Sequence, residues 1–146
     1  MAGTVTRPGP GPSLEIPIGP RGDPDLVRHA VITVLADGDS RDGGTTYADV
    51  VAHVNVQSHF TYGTSAEPLF AYAKAVGALQ EELRRTRPGV RVTLVTRNAE
   101  CAPAEVEDAV RATVRQAGVP MYRSMEAAAT AIAAAATHFR RRRGQA

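Results

Sequence analysis

From Leu14 onward, strand-like and helix-like segments alternate without interruption, and this limits the possible folds more than any other feature of the chain. Residues 14–18 (Leu-Glu-Ile-Pro-Ile) form a short strand candidate, which Pro17 confines to an edge or a strand end. After the turn at residues 19–22, Asp23 caps a helix with Pro24 at its first position, where the missing N–H costs nothing. Leu26, Val27, Ala30, Val31, Val34 and Leu35 give that helix one apolar stripe, and the polar residues 37–46 are expected to end it. Residues 49–56 are nearly continuous and β-branched, as in a strand buried on both faces. A loop at 57–64 leads into a helix started by Ser65, with Leu69, Ala73, Val76, Leu79 and Leu83 facing inward and Pro88-Gly89 breaking it. Residues 90–96 are a third strand. Residues 103–117 are a third helix, facing inward with Val106, Ala109, Val110 and Val114 and followed by Gly118 at its C′ position. Residues 119–122 are a fourth strand, and Ser124 caps an Ala-rich helix through Phe139. The order βαβαβαβα predicts a doubly wound α/β domain: a parallel sheet with helices on both faces.

Composition removes several function classes. The 146 residues hold 17 basic and 15 acidic side chains; without the run Arg140–Arg143, 13 basic residues face 15 acidic ones. Positive charge is therefore concentrated at one end, which reads as a solvated Arg-rich tail (residues 140–146) and not as a nucleic-acid surface. One cysteine excludes a disulfide framework or a Cys-rich zinc site. No apolar run approaches the roughly 18 residues of a membrane span, and no signal-peptide core is present, so a cytoplasmic location is expected. Residues 1–13 alternate Pro and Gly and read as a flexible tail; residues 14–139 form the single domain.

In parallel α/β sheets, ligands bind beyond the carboxyl ends of the strands, so functional residues are expected at 18–23, 57–65, 96–102 and 122–124. The segment Gln57-Ser-His-Phe-Thr-Tyr-Gly-Thr-Ser65 is rich in hydroxyls and ends at a helix start, where free N–H groups favour an anion. Gly19-Pro-Arg-Gly-Asp23 repeats that construction with Arg21 as an anion partner. Gly19, Arg21, Gly22, Ser58, Gly63, Thr64 and Ser65 are thus the candidate phosphate-binding residues; the plainer reading is two turns, each followed by a cap. No catalytic residue is assigned. His59 has no acidic neighbour in its loop to orient it, Cys101 is a lone cysteine, and the four histidines make no metal-ligand pattern. Residues 37–43 begin like a calcium loop but carry Arg41 at the fifth position and Ala48 at the twelfth.

Three stretches, residues 14–20, 49–58 and 117–128, resemble in order and spacing the succinyl-CoA-synthetase-like part of NDP-forming acyl-CoA synthetases. That group includes ADP-forming acetate–CoA ligases, and the resemblance covers residues 14–140. The last stretch, Gly118-Val-Pro-Met-Tyr122 followed by Glu126-Ala-Ala128, is similar to the family's closing strand and helix. The resemblance implies the carboxy-terminal part of a flavodoxin-like CoA-ligase domain that lacks its first strand. It also implies that residues 57–65 face a phosphorylated histidine and that residues 19–23 form the neighbouring phosphate loop. The family's CoA-binding module, its Gly-His-x-Gly segment and its ATP-grasp domain have no counterpart among these residues. The expectation is an accessory subunit of an ATP-dependent acid–CoA ligase. ATP, Mg and CoA would be engaged only in the assembled enzyme, and a second chain would carry those modules. The alternative is a non-catalytic binding or regulatory subunit; a small enzyme using Cys101 or His59 is the third reading.

Overall fold

The computed structural model describes residues 13–17, 24–40, 47–61 and 65–144, with the side chains of 13–17, 24 and 59–61 outside that description. The elements are β1 (Ser13–Pro17), α1 (Pro24–Ser40), β2 (Asp49–Asn55), α2 (Val56–Thr61), α3 (Glu67–Thr86), β3 (Arg91–Arg97), a 3-10 turn (Ala99–Cys101), α4 (Ala104–Gln116), β4 (Met121–Tyr122) and α5 (Met125–Gly144). All neighbouring strands pair in parallel, in the order β1-β2-β3-β4. Three strands of five to seven residues carry the sheet, and β4 adds two residues at its edge.

The α/β class, the parallel sheet and helices on both of its faces agree with the sequence reading, but the helices divide unequally. Each crossover moves one strand in the same direction, and right-handed crossovers then lay their helices on one face. The buried residues divide accordingly. Val50, Ala52 and Val54 of β2 and Val92 and Leu94 of β3 pack with Val27, Val31 and Leu35 of α1, with the inner stripe of α3, and with Val110 and Val114 of α4. Val51 and Val95, one residue out of phase and so on the opposite face, pack with Ala128, Met125 and Ile132 of α5. Helices stand on both faces, three against one.

Boundaries shift where local chemistry was misread. α1 runs past Asp37 to Ser40, whose hydroxyl donates to the Asp37 carbonyl (2.9 Å). Leu26, expected on the buried stripe, is exposed, because the inward line is Val27, Val31 and Leu35 at steps of four. Ala109 of α4 is exposed for the same reason, beside buried Val110 and Val114. The expected fourth strand shrinks to Met121–Tyr122, since Pro120 has no N–H for a ladder. α5 continues through Arg140–Arg143 to Gly144, so the arginine run belongs to its last turns.

A short β4 leaves the amino half of β3 without a strand neighbour on the side away from β2, and Gln80 of α3 takes that place. Its Oε1 accepts from the Val92 N–H (2.7 Å) and its Nε2 donates to the Val90 carbonyl (3.5 Å). Further along, the Leu94 N–H donates to the Pro120 carbonyl (2.9 Å), where β4 begins. The turn before β4 depends on Gly118, which closes α4 with φ +77°. A Cβ there would sit 3.2 Å from Arg84 Nη2. That arginine tip can swing away, so backbone strain dominates. Gly118→Ala is expected to cost about 1–2 kcal/mol, measured as a lowered midpoint in urea unfolding.

Candidate functional site

The carboxyl ends of β2 and β3 carry a cluster of side-chain amides. Asn98 follows β3 in the left-handed region (φ 54°, ψ 40°), which Asn tolerates better than most residues. Its Nδ2 donates to Asn55 Oδ1 (3.0 Å) at the end of β2 and to Gln57 Oε1 (3.3 Å) in α2. The three amides are polar and uncharged, so they offer hydrogen bonds without a base that would compete for a proton.

Residues 57–61, expected as loop, are part of α2. The segment Val56-Gln-Ser-His-Phe-Thr61 has no glycine or proline to stop a helical turn. Ser58 is half-buried on that turn. Ser65 lies just before α3, and its Oγ accepts from the Glu67 N–H (3.1 Å), a local turn ahead of the N-cap residue Ala66. Glu67 itself is acidic in the first turn of α3. Gly19, Arg21, Gly22, Gly63 and Thr64 lie outside the described residues, as does the side chain of His59, so only Ser58 and Ser65 of the candidate set can be located. They stand before and after the junction of α2 and α3.

Across the same end of the sheet, Glu107 of α4 is held by two arginines. Arg123 Nε donates to Glu107 Oε1 (2.9 Å) with a second bond from its Nη2 to Oε2, and Arg111 Nη2 donates to Oε1 (3.1 Å). Arg111 also donates to the Met121 carbonyl (3.2 Å), fastening α4 to β4. The hydrogen bond from Arg123, more than any other contact, holds the Glu107 carboxyl below the usual carboxylate range. A depressed carboxyl contributes stability above its unfolded pKa and loses that contribution as pH falls through the folded one. Acidification below the ordinary glutamate range should therefore destabilise the protein. Glu107→Gln is expected to be less stable at neutral pH and to show a flatter stability profile on acidification, read by urea unfolding across pH.

Other candidates stay apart. Cys101 is exposed in the 3-10 turn. His53 lies inside β2, its carbonyl accepting from the Tyr72 hydroxyl (3.4 Å), and burial drives the Tyr72 phenol pKa upward. No group of three or more His, Cys, Asp or Glu suited to a metal ion occurs among the described residues. No described helix is long and apolar enough to cross a membrane.

A cleft of about 390 Å³ lies at the other end of the strands, outside the regions expected to carry function. Asp49 and Arg91 at the starts of β2 and β3, Gln80 and Arg84 of α3, and Ile132 and Ala135 of α5 line it. The signal that could have found it is Gln80, a polar residue adjoining the stripe Val76, Leu79 and Leu83. No protein-family model, no curated protein and no solved structure matches the chain.

Proposed function

We propose that the chain is an accessory subunit of an ATP-dependent acid–CoA ligase, with a flavodoxin-like sheet that lacks its first strand. The observation that carries this reading is the strand order together with the placing of the helices. A flavodoxin-like sheet has the order 2-1-3-4-5. Removing its first strand and helix leaves four strands in sequential order, with three crossover helices on one face and the last helix alone on the other. Strand order and helix placing here follow that pattern, and β1 pairs directly with β2, Ser13 opposite Asp49 through Pro17 opposite His53.

In this reading the junction of α2 and α3 and the amides Asn55, Gln57 and Asn98 face a phosphoryl group held by a partner. Neutral donors and the positive end of α3 stabilise its charge without taking a proton. ATP, Mg and CoA would be bound by the partner chain, which supplies the phosphohistidine and the acyl-transfer chemistry. The test is reconstitution with candidate chains bearing ATP-grasp and CoA-binding modules. Acid- and CoA-dependent ATP hydrolysis should appear in the mixture and be absent from this chain alone; turnover by the isolated chain would overturn the subunit reading.

The Ser65 turn favours a second reading, a binding or regulatory subunit without a phosphate contact, because its hydroxyl is already engaged by the Glu67 N–H. Ser65→Asp separates the two. Aspartate closes such a turn as well as serine does, so the melting temperature should hold, while its charge repels a phosphoryl group. Loss of turnover in the reconstituted enzyme supports the first reading, and unchanged turnover supports the second.

A further inference from the structure

The cleft at the amino ends of the strands is built from three parts. Its floor is the row Asp49, Arg91 and Thr93 on the face of the sheet that α5 covers. Its roof is the middle of α5, with Ala131, Ile132 and Ala135. Its side is α3 and the turn at Gly118, with Arg84 beside them. α5 is fixed to the sheet at Ala128 and reaches back over Arg91, whose guanidinium lies 5.7 Å from the Phe139 ring centre. The space exists because β4 begins only at Met121, opposite Leu94, leaving no strand to fill the gap beside Arg91 and Val92.

The charges in the cleft are unequal. Asp49 is 4% exposed and is neutralised by Arg91 (Oδ1 to Nη2, 2.9 Å). Arg84 gives one hydrogen bond to the Ala117 carbonyl (2.7 Å) and pairs with no carboxylate among the described residues. One positive charge is thus left uncompensated beside an apolar wall of Tyr122, Ile132 and Ala135. Thr93 is 3% exposed and lines the cleft on the face of the sheet that α5 covers.

We propose that this cleft binds a small organic carboxylate. Its head group is taken by the Arg84 guanidinium, Thr93 supplies a second hydrogen bond, and its hydrocarbon body lies under Ile132 and Ala135. The planar guanidinium matches a carboxylate, and a single negative charge balances the cleft. A phosphate dianion would leave excess negative charge near Asp49, and an ammonium would meet two guanidinium groups. The volume falls in the lower part of the range for small-ligand pockets, about 300–1,000 Å³. The inference is independent of the ligase reading, because the cleft and the amide cluster occupy opposite ends of the strands.

The test is a titration of the ¹⁵N-labelled full chain with sodium hexanoate, with hexanol, hexylamine and sodium phosphate as comparison probes at matched ionic strength. Saturable shifts at millimolar hexanoate are expected for the amides of residues 91–93 and 131–135. The three comparison probes should leave those amides unmoved. Arg84→Gln should weaken hexanoate binding about tenfold or more, the loss of a charge-assisted contact. Thr93→Val should weaken it less, and Arg85→Gln, one residue along but outside the cleft, should leave it unchanged. Ala135→Phe, which fills the cleft without touching its charges, should abolish binding while the rest of the spectrum stays folded. Absence of saturable shifts, equal shifts with hexanol or phosphate, or unchanged binding in Arg84→Gln would overturn the proposal.

Discussion

Leu94→Ala is expected to lower the free energy of unfolding by about 4 kcal/mol. Leu94 is 0% exposed in the middle of β3, opposite Ala52 of β2 on one side and Met121 of β4 on the other. The cost has two parts, the lost transfer of the side chain from water and the cavity left behind. The second part should stay nearly whole, because β3 is fixed on both sides. β2 pairs with it over seven residues, and the Leu94 N–H is tied to the Pro120 carbonyl. A chain held this way cannot sink to close the hole. Urea unfolding checks the prediction: the midpoint should fall with little change in slope. A loss below about 1 kcal/mol would mean that Leu94 is not central to the core.

Gln80→Leu should be the second most damaging change, although it makes the core more apolar. Gln80 is 7% exposed, and its amide satisfies the Val92 N–H and the Val90 carbonyl. Leucine leaves that N–H buried without a partner, which costs about 1–3 kcal/mol. The cost has a local signature. Exchange of the Val92 amide proton should accelerate far more than exchange of Val95, whose N–H points toward β2. Equal acceleration at both sites would indicate general loosening instead of a lost clamp.

How far the sequence could be read depended on whether one residue or a whole period carried the information. β2, β3, α3 and α4 lie within one or two residues of expectation, because each repeats its apolar positions over several turns or pleats. The end of α1 lies beyond expectation because Asp37-Gly38-Asp39 looks like a helix stop, yet Gly38 is buried within the helix. α2 was missed because six residues are too few to show a period. The sheet order was beyond reach in principle. A βαβ alternation fixes parallel pairing, but whether the next strand adds on the left or the right depends on long-range packing. The carboxyl-end site was legible as a region and not as residues: Asn98 and Gln57 are brought together only by the pairing of β2 with β3. The cleft left little trace in the sequence beyond Gln80, because it results from a strand that begins late, opposite Leu94.

The sequential strand order has a consequence for how the chain reaches this state. Every β–α–β step joins neighbours in space that are also neighbours in the chain, so no strand must wait for a distant one before it can pair. Sheets whose middle strand comes first must hold an open slot until later segments return to it. Here the layers can assemble in order of synthesis, from β1 toward α5, with each new unit docking on a finished edge. Local connectivity of this kind favours rapid folding. Among the described strands, it also leaves the two outermost as the positions where a further strand, from this protein or another, can be added without undoing any pair already made.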